Sequence, residues 1–154
     1  MLIRDRGAPS LGILYLAAIL RQHGYEVACW DMTGDVQLAD LFGTATQVFT
    51  ENRSSLMEAA RAVPDAFFDG GETLWATTST SAQYHESCNL LHAIKARDRQ
   101  AKVVIGGSHV SALPDEALHD GFHAVFAGEA DDSLPQWLRD GCPYGIVHAL
   151  APRE

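Results

Sequence analysis

Three short segments of this chain carry residue types suited to holding a polar ligand without covering it with bulk. They read Thr78-Ser79-Thr80-Ser81, Gly106-Gly107-Ser108-His109 and Gly128-Glu129. Hydroxyls both donate and accept hydrogen bonds, and a glycine, lacking Cβ, lets a ligand come close to the backbone. Each segment follows an apolar run, so each falls where a buried strand would end. Singly they have plainer uses: paired glycines make tight turns, and Ser or Thr caps the helix that follows. Their recurrence at three strand ends describes a polar crevice of low bulk.

Familiar phosphate and catalytic motifs do not accompany that crevice. No GxGxxG follows the first strand and no GxxxxGKS/T occurs, so neither a dinucleotide fingerprint nor a P-loop is supported. There is no GxSxG elbow, and Asp31, His85 and His109 have no recognisable nucleophile to serve. His23, His85, His92, His119, His123 and His148 are scattered in the manner of surface and helix-face histidines, whereas His109 stands at the crevice. Cys29, Cys88 and Cys142 are odd in number and far apart, which fits neither a disulfide framework nor a CxxC metal knuckle. Reduced thiols are expected, two of them in the core.

The elements that must position these residues alternate along the chain. Leu11, Leu14, Tyr15, Ala18 and Ile19 recur at helical spacing from Ser10 to the stop at His23-Gly24, and residues 25–32 (YEVACWDM) then read as a strand. Residues 74–80, 101–107 and 123–129 are apolar runs, each followed by a helical pattern: 81–97, a short helix beginning near Pro114, and 132–138. Residues 35–69 carry weak helical patterns at 36–42 and 54–63, with a stop at Pro64, and are expected to be helical. Near-continuous apolar strands alternating with helices imply a doubly wound α/β domain whose parallel sheet is covered on both faces. In such sheets ligands bind beyond the carboxyl ends of the strands, which is where the three segments lie.

Composition agrees with a single domain. A chain of 154 residues, 47% hydrophobic, can build one full core. Twenty acidic against 11 basic side chains give a formal charge of -9, which disfavours nucleic acid and anionic lipid as partners. The longest uncharged apolar run, residues 11–20, is about half what a bilayer requires, and no signal peptide is visible. A cytoplasmic protein with no membrane partner is expected.

The segment APSLGILYLAAILRQHGYEVACWDM resembles the "PPLGL.YLAA.L...G.EV...D" opening of the cobalamin-binding domain that precedes radical S-adenosylmethionine domains. KVVIGGSHVSALPDEAL and AVFAGEADDSLPQWL resemble that domain's later "VV.GG.H.T..P...L" and "D.VV.GEGE.....L" segments, in the same order and spacing. The resemblance implies a flavodoxin-like, Rossmann-like fold over residues 1–140, with cobalamin along the C-terminal edge of the sheet and its nucleotide tail in a groove beside the strands. It implies cofactor contacts at Ser10, Leu11, Gly12, Thr78, Ser79, Thr80, Gly106, Gly107, Ser108, His109, Gly128 and Glu129. Under it, Gly106 and Gly107 leave room for the tail while Thr78, Ser79 and Thr80 offer it hydroxyls.

Two departures qualify the carry-over. No DxHxxG motif follows the first strand, so cobalt is expected base-off and histidine-off, with the loop of residues 5–10, Arg6 included, on its lower face. Only MLIR precedes that loop, so the strand that should be central is short, and self-association through the sheet or marginal stability without ligand is expected. Residues 141–154 resemble a linker or hairpin tail leading to a radical domain, yet no CxxxCxxC follows to hold an iron–sulfur cluster. Alone, the chain is expected to supply the cofactor site and no catalytic centre. Three functions remain open: a cobalamin module serving a radical methyltransferase-type enzyme in cis or trans, a standalone corrinoid carrier or sensor, and an interaction domain that has lost its ligand.

Overall fold

The alternation of apolar runs and helices resolves into one sheet. The computed structural model describes residues 2–4, 11–31, 46–50, 60–61 and 63–150. Its strands are β1 (Leu2–Arg4), β2 (Val27–Asp31), β3 (Thr46–Thr50), β4 (Leu74–Thr78), β5 (Lys102–Gly106), β6 (Ala124–Ala127) and β7 (Gly145–His148). Its helices are α1 (Leu11–Gln22), α2 (Tyr84–Arg97), α3 (Ser108–Ala112), α4 (Pro114–Asp120) and α5 (Ser133–Arg139). The strand order is β3-β2-β1-β4-β5-β6-β7, and every pairing is parallel. This is the flavodoxin-like α/β fold expected, with β3 and β7 extending its two edges.

Strand alternation divides the interior into two cores. On one face Trp75, Val103, Ile105 and Val125 pack with Leu90, Leu91 and Ile94 of α2 and Val110 of α3. On the other, Val27, Val104 and Phe126 pack with Ile13, Ala17 and Leu20 of α1 and Leu134 and Trp137 of α5. Successive residues of a strand face opposite sides, so "VVI" at 103–105 serves both cores at once. The buried stripe of α1 is Ile13, Ala17 and Leu20, and Tyr15 is 57% exposed, so the helix is rotated from the face that its spacing first picked out. Gly24, at φ +84°, closes α1, and the Tyr25 N–H reaches back to the Leu20 carbonyl at 3.1 Å.

Two parts of the chain differ from expectation or extend it. Thr46–Thr50 lies inside the stretch read as helical, yet it is a strand paired parallel to β2 across five residues, from Val27↔Thr46 to Asp31↔Thr50. Its TQVFT sequence is rich in β-branched and aromatic residues but has no continuous apolar run, and an edge strand needs none. Within 54–63, Ala60 and Arg61 are helical, while 36–42 lies outside the described residues. In the segment expected as linker or hairpin tail, Gly145–His148 forms β7 at the sheet edge, parallel to β6. The short first strand does take the centre: Leu2 pairs with Cys29 on one side and Ala76 on the other. Among the described residues no helix is long and apolar enough to cross a membrane.

Candidate functional site: a groove at the strand ends

β4 and β5 end level with one another, Thr78 opposite Gly106. Past that point the two loops stay stitched together. The Ser79 N–H donates to the Gly106 carbonyl at 3.0 Å, and the His109 N–H donates to the Ser79 carbonyl at 3.4 Å. So close a crossing leaves no space for a side chain at Gly107: a Cβ there would lie 2.4 Å from the Ser79 carbonyl oxygen, and φ is +109°. Gly107 is therefore required by the turn itself, whatever the groove holds, and the room for a ligand comes from its neighbour. Gly106 has no left-handed φ, and a Cβ on it would meet only Phe126, at 3.8 Å and beyond. It shares its face of β5 with Val104, above the α1 and α5 side of the sheet.

A third strand end is tied in by a hydroxyl. Ser111 Oγ donates to the Gly107 carbonyl at 2.8 Å and accepts the Gly128 N–H at 3.0 Å. Beyond β6, the buried Ser133 Oγ donates to the Glu129 carbonyl at 3.2 Å. The result is a groove of about 340 Å³ opening at the C-terminal edge. Its walls and floor are Ile13 and Leu16 of α1, Ala76, Val104 and Phe126 of the strands, and Leu134 of α5. Its rim carries Thr78, Ser108, Ser111, Glu129 and Asp131.

Of the residues singled out in the sequence, Gly12, Thr78, Gly106, Gly107, Ser108, Gly128 and Glu129 all line this groove. Ser79 does not: it is buried, with its hydroxyl turned to the Thr80 carbonyl at 2.8 Å. Thr80 is exposed and bonds Gln83 at 3.1 Å. Ser10, Arg6 and the rest of loop 5–10 lie outside the described residues, and Leu11 opens α1. His109 faces the opposite side of the sheet. Its Nδ1 lies 3.1 Å from Ser81 Oγ and its Nε2 3.1 Å from Glu116 Oε2, with its ring 4.1 Å from that of Tyr84. Helical geometry explains the parting, because Ser108 and Ser111, three apart on α3, share the groove side while His109, the residue after Ser108, points about 100° away from it.

The opposite side carries a hydrogen-bonded cluster in the wall of a second depression, of about 400 Å³, lined by Ser81, Tyr84, His85, Cys88, His92, His109 and Asp120. Tyr84 donates its phenol to Asp120 Oδ2 at 2.7 Å, and Cys88 Sγ lies 3.7 Å from the same oxygen. Burial, then the Asp120 bond, pushes the Tyr84 phenol well above its usual range, so it stays a neutral donor. Burial likewise raises the Cys88 thiol. Among the described residues no set of three or more His, Cys, Asp or Glu is placed to hold a metal ion.

Sequence reasoning missed Ser111 and the apolar floor. Ser111 carried a signal, being one helical turn from Ser108, and the floor residues Ala76 and Val104 stand two positions before the strand ends already marked. A groove with hydrogen-bonding groups at its mouth and hydrocarbon at depth suits an amphipathic tail such as a nucleotide with its heterocycle inserted first. A family model for the B12-binding domain matches residues 7–138.

This chain belongs to the B12-binding domain family. Membership implies a corrinoid cofactor, and the groove of this B12-binding domain fits the nucleotide tail of one. The crystal structure of the N-terminal domain of a hypothetical protein from Thermotoga maritima has the same fold, with a TM-score of 0.52. The two are 21% identical, over 94% of this chain and 93% of that one. No curated protein matches the chain significantly.

Proposed function

We propose that this B12-binding domain holds cobalamin base-off and histidine-off, and presents it to a radical S-adenosylmethionine methyltransferase-type catalytic unit, in cis or in trans. The observation that carries the reading is the groove itself, left open where Gly106 stands, floored by Ala76 and Val104 and rimmed by Thr78, Ser108 and Ser111. A bound corrinoid supplies a cobalt centre able to exchange an alkyl group. The protein's part is to bind and orient it. Thr78 and Ser108 offer hydroxyls to the ribose and phosphate of the tail, while Ser111, bonded to Gly107 and Gly128, fixes the rim on which they stand. The Glu129 and Asp131 carboxylates accept from the amide N–H groups that fringe the corrin ring. His109 is engaged by Ser81 and Glu116 on the other side of the sheet, which supports cobalt without a ligand from that residue.

The unpaired state of Cys29, Cys88 and Cys142 fits work in the reducing cytoplasm. A homo-oligomer belongs to the same proposal, and light scattering tests it directly. An intact groove speaks against an interaction domain that has lost its ligand. A standalone carrier would bind the same corrinoid and differ only in having no catalytic partner.

The deciding experiment adds hydroxocobalamin, desalts, and records the visible spectrum. Retained corrinoid bands are expected at about one equivalent, and their absence would refute the reading. The bound cob(II)alamin should show no nitrogen superhyperfine splitting in its paramagnetic resonance spectrum. A nitrogen triplet that vanishes in His109→Ala would make His109 a cobalt ligand and overturn the histidine-off assignment.

A further inference from the structure

The groove is polar at one level and hydrocarbon at another, and the two levels are separated along the strands. Ala76 and Val104 face each other in register, two pairs below Thr78 and Gly106 and on the same face of the sheet. Two residues of strand amount to about 6.6 Å of depth. At the lower level Ala76, Val104, Phe126, Leu16 and Leu134 contribute no nitrogen or oxygen from their side chains. Backbone groups there are used up by parallel pairing, since β4 has β1 and β5 as neighbours and β5 has β4 and β6. Thr77 also borders the groove, and strand alternation turns its buried, unpartnered hydroxyl toward the side of Trp75 and away from the floor.

We infer that this domain selects among corrinoids by the base on their nucleotide tail, holding a benzimidazole in preference to a purine. The inference rests on the corrinoid reading above. A benzimidazole inserted to the floor buries ring carbons and methyl groups against alkyl and phenyl surface. Adenine brings an exocyclic amine with two donors and further ring nitrogens, each of which leaves water and finds no partner at that depth. One buried unsatisfied polar group weakens binding by about 10- to 100-fold.

The test compares three corrinoids on the same protein: cobalamin, its adenine-bearing analogue, and cobinamide, which has no nucleotide tail. Affinities are read from quenching of tryptophan fluorescence, for which Trp137, packed 5.5 Å from the Phe126 ring, is a local reporter. Cobalamin should bind at least about 10-fold more tightly than the adenine analogue, with cobinamide weakest. Val104→Thr, which sets a hydroxyl in the floor at nearly constant volume, should narrow the first ratio. A thermal melt checks that this variant is folded. Equal affinity for cobalamin and the adenine analogue would overturn base selection while leaving corrinoid binding intact. Cobinamide binding as tightly as cobalamin would show that the tail makes no use of the groove. Failure to bind any of the three would overturn both the selection and the corrinoid reading.

Discussion

At the C-terminal edge of the sheet the two faces are built from the same strands and end differently. Beneath α2, α3 and α4, the side chains of Trp75, Val103, Ile105 and Val125 close against Leu90, Leu91 and Ile94, and the Tyr84–Asp120 and His109–Glu116 pairs stand above this closed core, beside a polar surface depression. Beneath α1 and α5, Ala76 and Gly106 take positions that larger side chains could fill, and the packing stops short of the edge. Depth of side chain at alternate positions is the difference. One face spends its apolar residues on stability, and the other leaves space for a ligand to complete its core.

The largest expected contrast sets a core deletion on the closed face against a filling on the open one. Leu91→Ala, at a residue 1% exposed, should lower the unfolding free energy by about 2–5 kcal/mol in urea melts while the surviving folded protein keeps its cobalamin affinity. A comparable loss of affinity would mean that the two faces are not independent. Gly106→Leu should do the reverse, reducing cobalamin retention by at least about 100-fold, or about 2.7 kcal/mol, with the melt nearly unchanged. Undiminished retention in that variant would remove the groove from the binding site. Gly107 cannot serve in this comparison, because a side chain there meets the Ser79 backbone and breaks the turn first.

A smaller effect separates the faces by pH. Burial on the open face raises the Cys29 thiol from its ordinary 9.0 to about 12. In the unfolded chain this thiol ionises from about pH 9 upward, whereas in the native protein it stays protonated, so unfolding releases a proton there. Its contribution is complete below pH 9 and is lost as pH rises from 9 towards 12, at a slope of up to about 1.4 kcal/mol per pH unit. The raised Tyr84 phenol adds a loss of the same sign on the closed face, above the ordinary tyrosine range. Urea melts between pH 8 and 10.5 should therefore show falling stability, and Cys29→Ala should flatten the slope. An unchanged slope would show that Cys29 is not the group responsible.

Much of this architecture is legible from local pattern. Apolar runs such as VVI at 103–105, short and rich in β-branched residues, read as strands buried on both faces, and the glycine at 24 after a helical pattern reads as a helix end, because those signals act within a few residues. β3 was harder to read, since an edge strand such as TQVFT needs no continuous apolar run and its pairing with β2 is long-range. Of the seven foreseen residues that line the groove, all but Gly12 of α1 share one local signal, a small or polar residue at a strand end. Ser79, Thr80 and His109 carry the same signal and are turned elsewhere by hydrogen bonds to Thr80, Gln83, Ser81 and Glu116.

By itself, the sequence determined the alternating α/β elements, the parallel sheet, the strand-end crevice and the resemblance to a cobalamin-binding domain, because each depends on residue type and near spacing. Only the tertiary structure decided which glycine makes room and which makes a turn. Gly106 and Gly107 are chemically identical neighbours, and what distinguishes them is whether Phe126 or the Ser79 backbone lies opposite. The same holds for the apolar floor and for the side of the sheet on which His109 falls. Those are facts about what stands across a gap of a few ångströms from residues distant in the chain, and one-dimensional pattern does not contain them.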